Sequence, residues 1–232
     1  MRIIRNERRI RTSSAIAQYA VWGGMLTLGV GLVISFVKPE WIVVTMVSLA
    51  LGFTLSMIGG FFSDRFAGPL AHYKALNEAL KYLGNRYTLL QYTLPSAHVL
   101  LGPGGCTVFI VKTQGGQVAY QENGRWKHQQ KGKFFRQFAG QEGVGAPDFE
   151  GERGVGKMEQ WLARKLPDTV VPVRAVVVFV HPDVTLDVGD APVPVVYSKK
   201  LKAWLQGPGK RDPLPDDVHR RLTEALGIEA ND

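Results

Sequence analysis

The sequence contains a single cysteine, Cys106, and two long stretches without any charged residue. One cysteine cannot form a disulfide within the chain, and its apolar neighbours predict a buried structural thiol. The uncharged stretches cover residues 12–37 and 41–63. Each is longer than the roughly 20 residues that a helix needs to cross about 30 Å of hydrocarbon. They therefore predict a transmembrane hairpin with spans at about 15–37 and 42–62.

Charged and histidine side chains are also absent from both predicted spans. Ion and proton transport normally require such groups inside the bilayer, so the hairpin is expected to be an anchor rather than a channel or a transporter. Elsewhere the five histidines are scattered, and no pair has the spacing of zinc ligands. No metal and no cofactor is expected.

The link between the spans is short, consisting of Lys38, Pro39 and Glu40, and it predicts antiparallel neighbours. A cleaved signal peptide would have a shorter apolar region and a small-residue cleavage pattern, and neither occurs before Lys38. The basic segment 1–14 carries five arginines against one glutamate, about half of the net charge of +8. By the positive-inside rule both termini face the cytoplasm, and the protein is expected to be a two-pass integral membrane protein.

Small residues recur every fourth position in the second span, at Gly52, Ser56 and Gly60. Such a pattern lets two helices approach closely. It predicts packing within the hairpin, with a homo-oligomer interface as the alternative. The expected environment of this segment is the lipid bilayer.

Residues 64–232 predict one α/β domain, with a core at about 73–205 and a C-terminal helix at about 214–227. A helical period covers 66–83. Short β-type runs separated by glycine and proline turns then predict a meander of three or four antiparallel strands. The stretch 139–156 is predicted to be a loop, 157–166 a helix, and the β-branched run 170–180 a buried central strand. The fold class is a mixed sheet with an antiparallel meander and flanking helices.

The domain contains five short motifs in a fixed order: His98-Val-Leu-Leu-Gly-Pro-Gly-Gly105, Thr107-Val-Phe-Ile-Val-Lys112, Gly116-Gln-Val, Gly124-Arg-Trp126 and Val171-Pro-Val-Arg-Ala-Val-Val-Val-Phe179. Together they resemble the nuclease-related domain (NERD) family, which has a restriction-endonuclease-like PD-(D/E)XK fold. Their order and spacing agree with the family pattern. The resemblance implies a metal-dependent nuclease fold for this domain.

The same resemblance places the family's metal-binding carboxylates at two positions where this chain has none. The expected Asp is Ala97, the expected Glu is Ile110, and only the lysine, Lys112, is present. No acidic residue occurs between Glu78 and Glu122, so the strands supply no carboxylate for a divalent metal. We therefore expect an inactive, membrane-anchored member that acts as a binding or scaffolding module. The alternative is a metal-dependent nuclease or nucleic-acid-processing protein with an unconventional site that uses Glu78 and Lys112.

A basic and aromatic segment follows the meander and is expected to be partly helical. Its candidate binding residues are Arg125, Trp126, Lys127, Lys131, Lys133 and Arg136. Cations and rings of this kind bind the phosphates and bases of nucleic acid, or anionic lipid headgroups. A solvated face is the third interpretation. The partners considered are thus nucleic acid, anionic lipid and an unknown protein.

Overall fold

The computed structural model describes residues 1–130 and 143–228. Two long apolar helices near the N-terminus pack together and precede an α/β domain with mixed sheets. The first elements are β1 (Arg2–Arg5), α1 (Glu7–Val37) and α2 (Ile42–Phe62), with a 3-10 turn at Pro39–Trp41 between the two helices. Two long apolar helices are therefore present as expected, although α1 begins at Glu7, before the start of the predicted first span at about residue 15.

Local sequence signals determine both ends of α1. Asn6 caps the start of α1, where its Oδ1 accepts a hydrogen bond from the Arg9 amide at 3.0 Å. The helix ends at Val37, because the residue before Pro39 is disfavoured in the helical region. By length and composition, both α1 and α2 could cross a membrane. Large apolar side chains such as Trp22 and Phe36, which are 70% and 80% exposed, point outward from the pair.

Close packing of the two helices depends on small residues. A Cβ atom added to Gly24 would lie 2.7 Å from Ser56 Oγ and 3.0 Å from the Gly52 carbonyl oxygen. One added to Gly31 would lie 2.8 Å from Ser48 Cβ. Gly52 and Ser56 thus face α1 within one chain, and association of copies through the stripe that ends at Gly60 stays a prediction.

Within residues 64–130 and 143–228, the α/β domain contains five further helical segments and eight strands. After a π-helical turn at Ser63–Ala67 they are α3 (His72–Leu80), β2 (Thr88–Gln91), β3 (His98–Gly102), β4 (Gly105–Lys112), β5 (Gly116–Tyr120), β6 (Trp126–Gln129), α4 (Pro147–Lys165), β7 (Val173–Phe179), β8 (Val184–Asp187), β9 (Val195–Tyr197), a 3-10 turn (Ser198–Lys200), α5 (Leu201–Gln206) and α6 (Asp216–Ala225).

The larger sheet has six strands in the order β1-β2-β3-β4-β7-β9. Strands β2, β3 and β4 form the antiparallel meander, whereas β4–β7, β7–β9 and β1–β2 pair in parallel. Helices α3 and α5 cover one face, where Leu76 and Leu201 are fully buried. Helices α4 and α6 cover the other face, with Met158 and Leu222 fully buried. Cys106 is fully buried on β4, as its apolar neighbours predicted.

A second sheet in the order β6-β5-β8 joins the first through a small cluster of buried residues. Val118 of β5 packs against Val177 and Phe179 of β7 in this cluster. Strand β5 therefore belongs to a different sheet from β2, β3 and β4, and the predicted meander of three or four strands has three. Residues 126–129 were expected to be partly helical and instead form β6, which is antiparallel to β5.

Two further expectations about the domain were wrong. The helix predicted at 66–83 is split, because Gly68 before Pro69 is extended and α3 begins only at His72. The described part of the predicted loop 139–156 contains the first half of α4, from Pro147 onward. The basic segment 1–14 forms β1 and the start of α1.

The glycines of α4 explain why the sequence predicts a loop for the first half of this helix. A Cβ atom on Gly151 would lie 2.9 Å from Ala175 Cβ, and one on Gly154 would lie 3.0 Å from Val108 Cγ1. Both glycines let α4 approach the sheet more closely than any larger residue would allow. They serve packing, although glycine is ordinarily unfavourable inside a helix.

Candidate functional site at the end of β4

Two of the three residues predicted from the nuclease resemblance, Ile110 and Lys112, lie on the sheet face that α4 covers. Side chains alternate along a strand, so Val108, Ile110 and Lys112 of β4 point to the same face. The pairing of β3 with β4 ends at Val99 and Val108, and Ala97 lies in the bend that precedes β3. Ala97 is exposed and Ile110 is partly buried. Lys112 is only 6% exposed, so its ammonium group needs a partner.

That partner comes from α4 and not from a strand. Lys112 Nζ donates a hydrogen bond to Glu150 Oε1 at 2.7 Å, and the Glu150 side chain is 48% exposed. A buried ammonium paired with a carboxylate in this way is compensated in charge. The pair holds Lys112 against the first turn of α4.

A second carboxylate of the same helix turn is also engaged. Asp148 is 7% exposed and accepts a hydrogen bond from Trp126 Nε1 at 3.0 Å. Its position in the first turn of α4 is favourable, because the helix N-terminus carries partial positive charge. Trp126 also makes an edge contact with Tyr120, at 5.2 Å between ring centroids. The indole therefore ties β6 to α4.

The turn that leads into α4 has little room for side chains. Gly145 has a φ of +67°, a left-handed conformation that favours glycine. A Cβ atom there would lie 3.3 Å from Glu150 Oε1 and 4.0 Å from Lys112 Nζ. Gly145 thus closes the backbone over the Lys112–Glu150 pair.

Asp148 and Glu150 are the site residues that the sequence interpretation missed. The neighbouring glycines predict a loop at the positions of these two residues. A proline followed directly by acidic residues is a typical start of a helix, and Pro147 with Asp148 and Glu150 has this form. That signal could have identified α4.

The arrangement does not resemble a metal centre. Among residues 1–130 and 143–228, no group of three or more His, Cys, Asp or Glu side chains is placed to hold a metal ion. Glu78 lies on the exposed side of α3 and forms an ion pair with Lys81. Lys112 is paired with Glu150 instead. In this structure Glu78 and Lys112 therefore have different partners.

The basic segment is only partly within the described residues. Arg125 and Lys127 are exposed on and beside β6, where cations could meet an anion. Trp126 is partly buried and packs in the cluster that joins the two sheets, so its ring is not a free stacking surface. Lys131, Lys133 and Arg136 lie outside the described residues.

A group of buried and partly buried polar residues, here called the junction cluster, lies between the hairpin and the sheet. It consists of His72, Gln91, Tyr92 and His98. The His98 ring is 4.8 Å from the Tyr92 ring and 6.0 Å from the His72 ring. Tyr92 packs with Ile10 of α1 and Phe66, and its hydroxyl donates to the Arg65 carbonyl oxygen at 3.2 Å.

Burial dominates the electrostatics of the junction cluster. His98 is 2% exposed, and burial together with the nearby positive charge of Arg65 lowers its pKa to about 3. Burial and the neighbouring His98 lower the pKa of His72 well below its ordinary value. Among the described residues, neither ring nitrogen of His98 has a hydrogen-bond partner. Burial therefore favours the neutral form of both rings at neutral pH.

No protein-family model, no curated protein and no solved structure matches this chain. The likeness to the NERD family consequently rests on the short motifs alone, and it stays an expectation from the sequence.

Proposed function

We propose that the protein is a two-pass membrane protein that holds a nuclease-related, catalytically inactive domain at the cytoplasmic membrane face, where the domain acts as a binding or scaffolding module. The observation that carries the proposal is the state of Lys112. The lysine of the motif is buried against Glu150, and the two expected carboxylate positions are Ala97 and Ile110. A nuclease of this class needs carboxylates that hold a metal beside the lysine.

The pairing of β1 with β2 supports the membrane part of the proposal. Strand β1 precedes α1 and β2 follows α2, yet Ile3 pairs with Leu89 in one sheet. A hairpin that spans the bilayer twice returns the chain to its starting side, as this pairing requires. Arginines cluster at the same end, where Arg9 lies over Tyr92 and Arg65 over Phe61, with 5.8 Å and 4.1 Å to the ring centroids. Cations at this level favour the cytoplasmic side.

Labelling with a membrane-impermeant maleimide tests this orientation in intact cells. We expect Glu40→Cys, in the link between the spans, to react from outside, and Asn123→Cys, in the turn before β6, to react only after lysis. The native Cys106 does not interfere, because burial raises its thiol pKa to about 12 and blocks access. Labelling of Asn123→Cys in intact cells, or protection of Glu40→Cys, would contradict the proposed topology.

The alternative function, a metal-dependent nuclease, is tested by a cleavage assay. The full chain in an uncharged detergent is incubated with single- and double-stranded DNA and RNA in Mg²⁺ and in Mn²⁺. We expect no cleavage above the level of the buffer. The full chain is needed because β1, before the hairpin, completes the sheet.

Four variants make the cleavage assay decisive. Lys112→Met, Glu150→Gln and Glu78→Gln remove the possible catalytic groups, and Lys199→Met applies the same kind of change to an exposed lysine. Cleavage by the wild type that disappears in Lys112→Met but persists in Lys199→Met would overturn the inactive assignment. Additional loss in Glu78→Gln would point to the unconventional site.

A further inference from the structure

A pocket lined by arginine and lysine residues lies at the opposite end of the sheet from the hairpin. The turn between β3 and β4, at Gly102–Gly105, forms one wall, and the segment after α5 forms another. His98, at the start of β3, belongs to the junction cluster next to the hairpin. Four residues of extended strand separate it from Gly102, a distance of about 13 Å. The pocket therefore faces away from the membrane surface, and Lys112 lies at the other end of β4.

The charges that line this pocket are all positive. Its lining includes the four cations Arg86, Arg174, Lys210 and Arg211, and no aspartate or glutamate. None of these cations has a carboxylate partner among the described residues. The pocket encloses about 710 Å³, within the usual size range of small-molecule sites.

Arg174 is held in place by neutral partners. Its Nε donates to Thr107 Oγ1 at 3.2 Å and its Nη2 donates to the Gly209 carbonyl oxygen at 2.6 Å. The guanidinium also lies over the Trp204 ring, 4.8 Å from the centroid. The Gly209 backbone is fixed against the same ring, because a Cβ atom there would lie 2.5 Å from Trp204 Cε3. The planar guanidinium group of Arg174 is thus held in position without a negatively charged partner.

Arg211 adds a second guanidinium to the same pocket. Its Nη1 donates to the Pro172 carbonyl oxygen at 3.4 Å. Burial and the proximity of Arg211 lower the pKa of Arg174 to about 10, and burial lowers the pKa of Arg211. Two partly buried guanidinium groups that repel each other are stabilised when an anion enters between them.

We propose that this pocket binds the phosphate group of a small soluble phosphorylated ligand. The arginine fork matches the geometry of phosphate oxygens, and Arg86 and Lys210 add positive charge around it. The volume accommodates more than a bare phosphate ion. A lipid headgroup carries the same chemistry, but the pocket lies at the end of the sheet that faces away from the hairpin.

Calorimetric titration of the full chain with inorganic pyrophosphate tests the proposal. The protein is reconstituted in nanodiscs of neutral phosphatidylcholine at low ionic strength. We expect saturable binding that is weakened about tenfold by Arg211→Gln, the loss of one charge-assisted contact. Arg164→Gln, an exposed arginine at the end of α4, makes the same charge change and should leave the affinity within about twofold. Absence of binding to the wild type, or equal weakening in both variants, would overturn the proposal.

Two further arms separate the possible explanations. Lys210 is exposed, so Lys210→Gln should weaken pyrophosphate binding without affecting folding. Arg174→Gln should weaken binding too, but it also removes the hydrogen bonds to Thr107 and Gly209. Titration in nanodiscs that contain phosphatidylglycerol should give the same pyrophosphate affinity. A loss of pyrophosphate binding in these discs would assign the pocket to a lipid headgroup and contradict a soluble ligand.

Discussion

Replacing Phe179 with alanine is expected to lower the free energy of unfolding by about 4 kcal/mol. Phe179 lies at the end of β7, is fully buried and belongs to the cluster with Val118 of β5 and Val144 before α4. Its ring fills the space where the second sheet meets the first. Truncation leaves a cavity that the strands on either side cannot fill, because β7 is paired with both β4 and β9. The loss of buried area and the cavity act in the same direction.

Urea unfolding of the full chain in an uncharged detergent measures this effect. Tryptophan fluorescence follows the unfolding of the chain as a whole, and Trp126, one of its five tryptophans, packs against the same cluster. Phe149→Ala is the matched control, because Phe149 is 67% exposed on α4 and its loss should change the free energy by less than about 0.5 kcal/mol. Equal effects of the two substitutions would show that Phe179 is not a packing element between the sheets.

The hairpin and the three-stranded meander could be predicted because each leaves a strong local signal. Two charge-free runs of this length predict two long apolar helices, and α1 and α2 are found there. The meander has alternating apolar runs separated by turns such as Gly102–Gly105. The β-branched run of β7 marks a strand buried on both faces, where Val176, Val177 and Val178 are fully buried.

The missed elements depend on contacts between distant parts of the chain. Arg2–Arg5 contains two arginines in four residues, and it is ordered only because β2, more than eighty residues later, offers a free edge. Val184–Asp187 becomes strand β8 by pairing with β5. Local propensity contains neither piece of information. The first half of α4 was missed for a related reason, since its glycines fit contacts with Ala175 and Val108 rather than a flexible loop.

Only part of the candidate site could be predicted from the sequence, because the rest depends on contacts between distant residues. Lys112 could be named because it ends a strand with a recognisable motif. Its partner Glu150 could not, because the partner is decided by where α4 packs, and α4 begins thirty-five residues after Lys112. The cationic pocket could not be predicted at all, because Arg86, Arg174 and Arg211 are far apart in the sequence and come together only in the folded chain.

Acidification is expected to destabilise the folded protein through His98, by on the order of 3 kcal/mol between about pH 7 and about pH 4.5. In the folded state burial holds the pKa of His98 at about 3, whereas the unfolded chain has the ordinary value near 6.5. Below 6.5 the unfolded state therefore binds a proton that the folded state does not bind. The contribution of His98 to stability is complete above pH 6.5 and is lost progressively as the pH falls toward 3.

The variant His98→Phe isolates this contribution from the titration of carboxylates and of His72. Phenylalanine retains an aromatic ring beside Tyr92 but cannot be protonated, and it removes two ring nitrogens that have no partner among the described residues. Urea unfolding at a series of pH values should therefore give a flatter curve for His98→Phe than for the wild type. His219→Phe, at a partly exposed position on α6, should keep the wild-type slope. Parallel curves for His98→Phe and the wild type would mean that His98 is protonated in the fold, and that the junction cluster admits water or an anion beside it.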